Sequence, residues 1–264
     1  MNEKSDQLNR YLAQFDSLAI AFSGGVDSAF LLKAAHDVLG SRVLAVTVHA
    51  PVFPSREADE ARAFCDTYGI RQIVCTVDPF TIEGFARNPR NRCYLCKHAM
   101  MRAILAAAEQ QHIDCVAEGS NMDDQGDYRP GRQAVAELGI CSPLLEARLS
   151  KAEIRELSKQ MGLATWEKPS YACLASRFVY GEPITEERLA MVEQAEQLLL
   201  QLGFHQMRVR IHGKLARIEV MPQEFERLMQ EEVREQVIAR FRSYGFSYVA
   251  MDLAGYRTGS MNEV

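Results

Sequence analysis

The stretch SLAIAFSGGVDSAFLLKAAHDVL, residues 17–39, decides the fold of this chain. It opens on an apolar run, SLAIAF, that is typical of a short buried strand. The loop SGGVDS (23–28) follows without a break, and apolar residues then recur at helical spacing: Phe30, Leu31, Ala34, Ala35 and Leu39. The stretch therefore predicts a strand, a tight loop and a helix in direct succession.

The same alternation continues along the first part of the chain. Strands are predicted at RVLAVTV (42–48), RQIVCTV (71–77) and DCVAEG (114–119), and helices at 56–69 and 97–111. Strands that alternate with helices pair in parallel through right-handed crossovers. Residues 1–165 therefore predict a doubly wound parallel sheet in an α/β domain, whose ligands lie at the carboxyl ends of the strands.

A different pattern begins at residue 166. The segment 166–184 has two prolines and little periodicity, so it is predicted to be a connector, and it carries Cys173. Thr185, followed by two glutamates, is typical of a helix start. Alternating residues then predict a hairpin over 205–222, and a further helix and a last strand follow. We expect a smaller C-terminal α+β domain over residues 185–264.

Composition limits the partners of the chain. Its 264 residues are 47% hydrophobic and 25% charged, as in ordinary soluble proteins, and the formal net charge is -5. That charge provides no overall attraction to nucleic acid or anionic lipid. No apolar stretch approaches the ~18 residues of a membrane helix, and the first residues lack the apolar core of a signal peptide. We therefore expect a cytoplasmic protein without a membrane or nucleic-acid partner.

The loop at residues 23–28, the phosphate loop, is suited to an anion. Gly24 and Gly25 permit a sharp turn, the helix N-terminus offers backbone amides, and Ser23 and Ser28 add hydroxyls. The sequence is neither a Walker A motif nor a G-x-G-x-x-G motif. A glycine turn capped by Asp27 or Ser28 is the alternative, but the position directly after the first strand favours phosphate binding.

A second loop, EGSNMDDQGDYRPG (118–131), follows the fourth predicted strand. Its hard oxygen ligands are suited to Mg2+, and its arginine to phosphate or carboxylate: Asp123, Asp124, Asp127 and Arg129. A solvated acidic turn is the alternative, although loops on such folds often carry function. Asp124 is the preferred metal ligand, and Gly119 is expected to allow close backbone approach.

The chain has seven cysteines, and their spacing is more informative than their number. Cys93 and Cys96 form a CxxC, which serves in redox disulfides, zinc sites and iron-sulfur sites. Cys173 lies in a polar, irregular segment, whereas the other four lie in or beside apolar elements. Three thiolates with an open fourth position would suit a [4Fe-4S] cluster. A simple loop thiol at Cys173 is the alternative.

SGGVDS resembles the signature of the PP-loop ATP pyrophosphatases, which include GMP synthetase, NAD synthetase and tRNA thiolation enzymes. The resemblance implies cleavage of ATP between its α and β phosphates, with Mg2+, adenylation of a substrate oxygen and release of pyrophosphate. Asp27 would take part in this chemistry. The implied ATP-binding residues are Ala21, Phe22, Ser23, Gly24, Gly25, Asp27, Ser28 and Val48, joined by Gly119 and Asp124.

Four further stretches are similar to the LarE family, the ATP-dependent sulfur transferases of lactate racemase maturation. They are GDYRPG (126–131), KPSYACLASRFVYG (168–181), RVRIHGKLARIEV (208–220) and MDLAGYRTGSMN (251–262). The resemblance implies adenylation of a carboxylate of pyridinium-3,5-biscarboxylic acid mononucleotide and its conversion to a thiocarboxylate for the nickel-pincer nucleotide. It also implies a homo-oligomer and transient contact with other proteins of nickel-pincer biosynthesis.

The family resemblance also bears on the source of sulfur. Some members sacrifice the sulfur of a cysteine and are left with dehydroalanine, whereas others hold a [4Fe-4S] cluster on three cysteines. Cys93, Cys96 and Cys173 fit the second type, with Cys173 as a catalytic residue. We therefore expect ATP, Mg2+ and a [4Fe-4S] cluster as cofactors.

Cations are needed for a substrate that carries phosphate and carboxylates. Arg208 and Arg210 are two residues apart on a predicted strand, so they point to one face. Arg177 could add a third cation. An exposed strand face is the ordinary explanation of such arginines, but the resemblance favours phosphate binding. It also places Glu196 near this site, as a general base or as a partner that orients an arginine.

Two other functions fit parts of the sequence. A PP-loop enzyme that thiolates tRNA would need a basic surface or an added RNA-binding domain, and the chain shows no lysine–arginine tract. A non-catalytic nucleotide or iron-sulfur carrier would not need the carboxylates beside the phosphate loop. Pyrophosphate release with and without a carboxylated pyridinium nucleotide separates these functions.

Overall fold

The computed structural model describes residues 3–126, 131–169 and 172–257. The chain divides into two compact units. Unit 1 comprises Met1–Ile82 and Asn91–Tyr171, and unit 2 comprises Glu83–Arg90 and Ala172–Val264. The proposed ligands Asp127 and Arg129 of the second loop lie outside the described residues.

Unit 1 is built on a parallel sheet with the strand order β3-β2-β1-β4. The strands are β1 Leu18–Ala21, β2 Val43–His49, β3 Gln72–Thr76 and β4 Val116–Ala117. The described helices are α1 Glu3–Leu12, α2 Val26–Leu39, α3 Ser55–Tyr68, α4 Arg92–Glu109, α5 Gly131–Glu137, α6 Pro143–Glu146 and α7 Lys151–Gln160. The predicted α/β fold class is confirmed.

The central strand β1 is buried on both faces, which explains its unbroken apolar sequence. Leu18 and Ile20 belong to a core that includes α2, whereas Ala19 belongs to a second core that includes α4. Because β1 lies between β2 and β4, the order of strands reverses at this point. The carboxyl ends of β1 and β4 therefore border the crevice where such sheets bind ligands.

Three elements differ from the sequence predictions. Helix α4 begins at Arg92 rather than at residue 97, so the CxxC lies inside the helix. Asn91 occupies the N-cap position of α4, but its side chain makes no cap hydrogen bond. Strand β4 has two residues rather than six. The single helix expected after the hairpin is two helices, because Gln230 adopts extended backbone angles (φ -56°, ψ 137°) between them.

Unit 2 combines helices with a three-stranded sheet of order β5-β6-β7, in which β5 and β6 form a hairpin and β7 is parallel to β6. Its elements are α8 Glu186–Gln201, β5 Met207–His212, β6 Leu215–Val220, α9 Phe225–Met229, α10 Glu231–Ser243 and β7 Tyr248–Met251. Thr185 caps α8 as predicted, because its hydroxyl accepts a hydrogen bond from the Arg188 amide at 3.2 Å. The predicted hairpin is also confirmed.

The short segment Glu83–Arg90 belongs to unit 2 although it lies between β3 and α4 in the sequence. Asn88 holds it there, since its buried side chain donates to the Val179 carbonyl at 2.7 Å and its carbonyl accepts from the Gly181 amide at 3.0 Å. No described helix in either unit is both long and apolar enough to span a bilayer.

Candidate functional site

The phosphate loop turns directly from β1 into α2. Gly24 adopts a left-handed conformation (φ +72°), which glycine accepts without strain. The Ser28 hydroxyl accepts from the Ser23 amide at 3.3 Å and donates to the Gly25 carbonyl at 3.1 Å. Gly25 occupies the N-cap of α2 without a side-chain cap bond. Gly25 therefore leaves the first backbone amides of α2 uncapped. Uncapped amides at a helix N-terminus are well placed to bind an anion.

Three of the residues that the resemblance assigns to ATP binding, Ala21, Phe22 and Val48, lie at the ends of β1 and β2. The Phe22 amide donates to the Val46 carbonyl at 2.9 Å, and its ring packs on Phe64 with 5.3 Å between ring centroids. The Phe22 side chain is thus part of the core, and only its backbone is placed to border a nucleotide. Ala21 and Val48 are partly exposed near the strand ends.

The phosphate loop and the second loop meet at Gly119. A Cβ atom at this position would lie 3.1 Å from the Ser28 nitrogen and 3.2 Å from the Asp27 Cβ. The close approach expected at Gly119 is therefore present, and it is made to the first turn of α2. A larger residue would push the two loops apart.

Asp27 is held by residues of two other segments. Its Oδ1 accepts from the Asn121 side chain at 3.3 Å, and its Oδ2 forms an ion pair with Lys151. Asn121 follows β4, and Lys151 is the first residue of α7. These partners were missed in the sequence, because 94 and 124 residues separate them from Asp27.

The carboxylates of the second loop shape the loop itself. Asp124 Oδ2 accepts from the Asn121 amide at 3.0 Å, and Asp123 Oδ2 accepts from the Lys151 amide at 2.6 Å. Within the described ranges, no three His, Cys, Asp or Glu side chains form a group suited to a metal ion. Mg2+ commonly takes only one or two carboxylates together with substrate phosphates, so Asp27 and Asp124 are compatible with it.

A second lysine also lies against the phosphate loop. The Lys168 ammonium donates to the Gly24 carbonyl at 2.9 Å and pairs with Glu60 at 2.5 Å. Arg155 donates to the Lys168 carbonyl at 2.8 Å and so fixes the backbone that presents this lysine. The sequence analysis assigned no role to Lys168, although it is the first residue of KPSYACLASRFVYG, because 144 residues separate it from Gly24.

The three cysteines predicted to hold a cluster are divided between the units. Cys93 and Cys96 lie in the first turns of α4, three residues apart and so on one helical face. Cys93 is exposed and Cys96 is partly buried. Cys173 lies in unit 2, at the start of a short 3-10 turn, Leu174–Arg177. Neither unit by itself brings three of its described thiols together as a metal site.

Two cysteines outside the CxxC behave as structural thiols. Burial, with a smaller effect of the Asp66 charge, raises the pKa of the Cys65 thiol to about 12. Burial also raises the pKa of Cys75. Thiolates are the reactive form of cysteine, so neither residue is suited to sulfur chemistry at neutral pH.

Arg177 and Glu196 form a buried, two-bonded ion pair in unit 2. Arg177 Nε and Nη2 each donate to one Glu196 oxygen at 2.8 Å. Nη1 donates to the Ala172 and Cys173 carbonyls at 2.7 and 3.1 Å. Arg177 has 0% exposure, so it ties the turn around Cys173 to α8. As a phosphate ligand it would have to exchange these partners for a substrate.

The environment of Glu196 bears on the two roles considered for it. Burial alone would raise the pKa of the Glu196 carboxyl, but the charge and hydrogen bonds of Arg177 hold it below its ordinary value. Glu196 Oε1 also accepts from the Val209 amide of β5 at 3.0 Å. A carboxylate so stabilised is a weak base, so this geometry favours orientation of an arginine over proton abstraction.

Arg208 and Arg210 share one face of β5 and are each 5% exposed. The alternative of an exposed strand face is therefore wrong. Arg210 donates to Glu219 at 2.9 Å and to the Ser176 carbonyl at 3.1 Å. The Arg208 guanidinium lies over the Tyr256 ring, 5.1 Å from its centroid.

These side chains form the arginine cluster, defined as Arg177, Arg208 and Arg210 with Glu196 and Glu219. Three buried cations thus share two buried carboxylates, and Arg217 also pairs with Glu219 at 3.1 Å. Burial and the positive charge of Arg177 lower the pKa of Arg208. A phosphate group beside Arg208 would be stabilised by these positive charges.

A parallel sheet with a glycine loop at its switch point defines the class as PP-loop nucleotide-binding proteins, and residues 1–175 match the family described as the PP-loop domain. The chain belongs to this family and, within it, to the LarE family. It is 34% identical over 253 residues to the pyridinium-3,5-bisthiocarboxylic acid mononucleotide synthase of Lactiplantibacillus plantarum. That similarity covers 96% of this chain and 91% of the relative.

Of two further relatives, one has a higher and one a lower sequence identity to this chain. A Synechocystis sp. protein, slr1717, is 39% identical over 100% of this chain and 98% of its own length. One of the subunits of the glutamine-hydrolyzing GMP synthase of Thermoplasma acidophilum is 25% identical over 68% of this chain and 62% of its own length. The similarity to the Synechocystis protein thus includes both units, whereas the similarity to the GMP synthase covers a smaller part.

Proposed function

We propose that the protein is an ATP-dependent, AMP-forming sulfur transferase. It adenylates a carboxylate of pyridinium-3,5-biscarboxylic acid mononucleotide, releases pyrophosphate and converts the carboxylate to a thiocarboxylate for the nickel-pincer nucleotide. The observation that carries the proposal is the near full-length similarity to a synthase whose name specifies the bisthiocarboxylic acid mononucleotide. The phosphate loop and the arginine cluster provide sites for the two anionic substrates.

The residues of unit 1 activate the carboxylate. The amides of the phosphate loop and of the first turn of α2 bind the pyrophosphate portion of ATP, so that a substrate carboxylate oxygen attacks the α-phosphorus. Asp27 and Asp124 are the proposed ligands of Mg2+, which neutralises phosphate charge when it is bound. Pyrophosphate is the leaving group, and the acyl-adenylate is the product of this step.

The residues of unit 2 bind the substrate phosphate and position the turn that carries Cys173. Arg208 and Arg210 bind the substrate phosphate, because buried guanidinium groups form strong charge-assisted hydrogen bonds to phosphate oxygens. Arg177 and Glu196 hold the carbonyls of the Cys173 turn in place. Sulfur replaces the adenylate oxygen, and AMP leaves.

Two sources of sulfur are possible, and they make different demands on the chain. In the first, Cys93, Cys96 and Cys173 would hold a [4Fe-4S] cluster that would supply sulfide. Neither unit alone brings three of its described thiols together. In the second, the Cys173 thiolate attacks the acyl carbon and AMP leaves. A base then removes the Cα proton of residue 173 as the Cβ–S bond breaks, which leaves dehydroalanine and the thiocarboxylate.

Pyrophosphate release tests the first half of the proposal. We expect release from ATP only when the carboxylated pyridinium mononucleotide is present, with a thiocarboxylate product detected by mass spectrometry. Release stimulated by tRNA would instead support a tRNA thiolation enzyme. No release under either condition would support a non-catalytic carrier.

Anaerobic reconstitution tests the sulfur source. A cluster on three cysteines gives about four irons per chain and cubane absorption, and substitution of any one of the three by alanine removes most of it. The contrary result is a chain that binds no iron and loses about 34 Da at Cys173 after turnover, as expected for dehydroalanine rather than an oxidised thiol. A homo-oligomer and transient contact with other nickel-pincer proteins stay predictions.

A further inference from the structure

A tight turn follows β7, the last strand of unit 2. The Asp252 amide donates to the Ile218 carbonyl of β6 at 2.9 Å, and the Gly255 amide donates to the Asp252 carbonyl at 3.0 Å. The Tyr256 amide then donates to the Val220 carbonyl at the end of β6, at 2.8 Å. These backbone hydrogen bonds fix the position from which the Tyr256 side chain extends.

Gly255 is the residue that permits this turn. Its backbone lies in the left-handed region (φ +69°), which glycine adopts without strain. A Cβ atom at this position would lie 2.9 Å from the Val220 carbonyl oxygen, closer than van der Waals contact allows. A side chain at residue 255 would therefore displace the turn, and Tyr256 with it.

The Tyr256 ring covers one face of the Arg208 guanidinium. In the ladder between β5 and β6, Val220 is the partner of Met207, the residue before Arg208. The ring centroid of Tyr256 lies 5.1 Å from the guanidinium carbon. Stacking uses the face of a guanidinium group and leaves its in-plane N–H groups to donate hydrogen bonds. The ring therefore restricts the rotation of Arg208 without occupying the donors that would bind a phosphate.

Different partners hold the three arginines of the cluster. Arg177 and Arg210 each donate to a buried carboxylate, at 2.8 and 2.9 Å. Arg208 donates Nη1 to the Met207 carbonyl at 2.6 Å and has the Tyr256 ring on one face. The electron-rich face of an aromatic ring attracts a cation. That attraction counters burial and the positive charge of Arg177, which lower the pKa of Arg208.

We propose that Tyr256 is a positioning residue of the acceptor site, whose ring holds the Arg208 guanidinium in the orientation that binds the substrate phosphate. The inference rests on the proposed function, since it takes the phosphate of a mononucleotide as the ligand of Arg208. The turn after β7 thereby contributes to a site on β5. A guanidinium that is oriented before the substrate arrives loses less freedom on binding, which increases affinity.

Binding of pyridinium-3,5-biscarboxylic acid mononucleotide to the whole chain tests this role. Tyr256→Leu removes the aromatic face and should weaken binding about 5- to 30-fold, the effect of losing a cation–π contact in a desolvated site. Tyr256→Phe keeps the ring and should retain most of the affinity. Tyr248→Leu makes the same change at a position of β7 that is 72% exposed, and it should bind as the parent does. Unchanged binding in Tyr256→Leu, or an equal loss in Tyr256→Phe, would overturn the proposal.

A double-mutant cycle shows whether Tyr256 acts through Arg208. In an Arg208→Gln background there is no guanidinium to orient, so Tyr256→Leu should change mononucleotide affinity by less than about twofold. A loss there as large as in the parent background would overturn the proposal, because the ring would then act by another route. The failure of the proposed function is distinct, because it is a parent protein that neither binds the mononucleotide nor releases pyrophosphate in its presence.

Discussion

The phosphate loop of unit 1 and the arginine cluster of unit 2 handle charge in opposite ways. The loop offers backbone amides, and its Asp27–Lys151 pair is partly exposed. The cluster consists of side-chain charges that are almost completely buried. Exposed pairs contribute little to folding, whereas removal of one partner from a buried pair is costly. Ligand binding and stability should therefore be separable in the loop and coupled in the cluster.

The largest effect, on the free energy of unfolding, is expected when the buried ion pair is broken. Glu196→Ala should lower the free energy of unfolding by about 3–5 kcal/mol, because it leaves the Arg177 charge buried without this partner. Glu187→Ala, at an exposed position of the same helix, should change stability by no more than about 0.5 kcal/mol. Chemical denaturation measures both. Equal stability of the two variants would remove the distinction between the sites.

The next largest effect is a loss of catalysis with little change in stability. Asp27→Ala should reduce pyrophosphate release on the order of 10²-fold or more, as expected when one electrostatic stabiliser of the reaction is removed. Its free energy of unfolding should change by about 1 kcal/mol or less, since the ion pair is partly exposed. Asp37→Ala, near the other end of α2, is the control for turnover. Normal pyrophosphate release in Asp27→Ala would exclude the catalytic role.

A smaller effect is expected for substrate binding by the cluster. Arg208→Gln should weaken acceptor binding by about 1.5–3 kcal/mol, the contribution of hydrogen bonds to a charged group. ATP affinity should be unchanged. Arg210→Gln should show the same loss and also a lower stability, because Arg210 pairs with the fully buried Glu219. Arg234→Gln on α10 is an exposed control. Equal losses of affinity for ATP and for the acceptor would contradict a specific role of these arginines in acceptor binding.

The smallest effect is a pH dependence in unit 1. Hydrogen bonds from Lys4 and from Ser150 lower the pKa of Glu153 to about 2. Because the folded-state pKa is depressed, the stabilisation is present above the unfolded pKa of about 4.3 and is lost as pH falls towards 2. Glu153→Ala should lower the free energy of unfolding by about 1 kcal/mol at pH 6. The difference in unfolding free energy between this variant and the parent should become smaller at pH 3. A difference in unfolding free energy that does not depend on pH would contradict an origin in the Glu153 carboxylate. Glu156→Ala is the control.

The fold of unit 1 was largely predictable because its signals are local. The run ending at Phe22, the glycine loop and the helical spacing after it lie within 23 consecutive residues. The Thr185 cap and the alternation of Arg208 and Arg210 are equally short-range. By contrast, Asn91 at the N-cap of α4 makes no cap hydrogen bond, and the membership of Glu83–Arg90 in unit 2 depends on Asn88 and its distant partners.

The sequence by itself determined the alternation of strands and helices that follows β1, the phosphate loop and the family, since each depends on residue types at fixed short spacing. Only the tertiary structure decided which charges meet. It paired Lys151 with Asp27 across 124 residues, and it buried Arg177 against Glu196. Whether a charge binds substrate or holds the fold depends on its partners and its exposure, and both are set by contacts between segments that are remote in the chain.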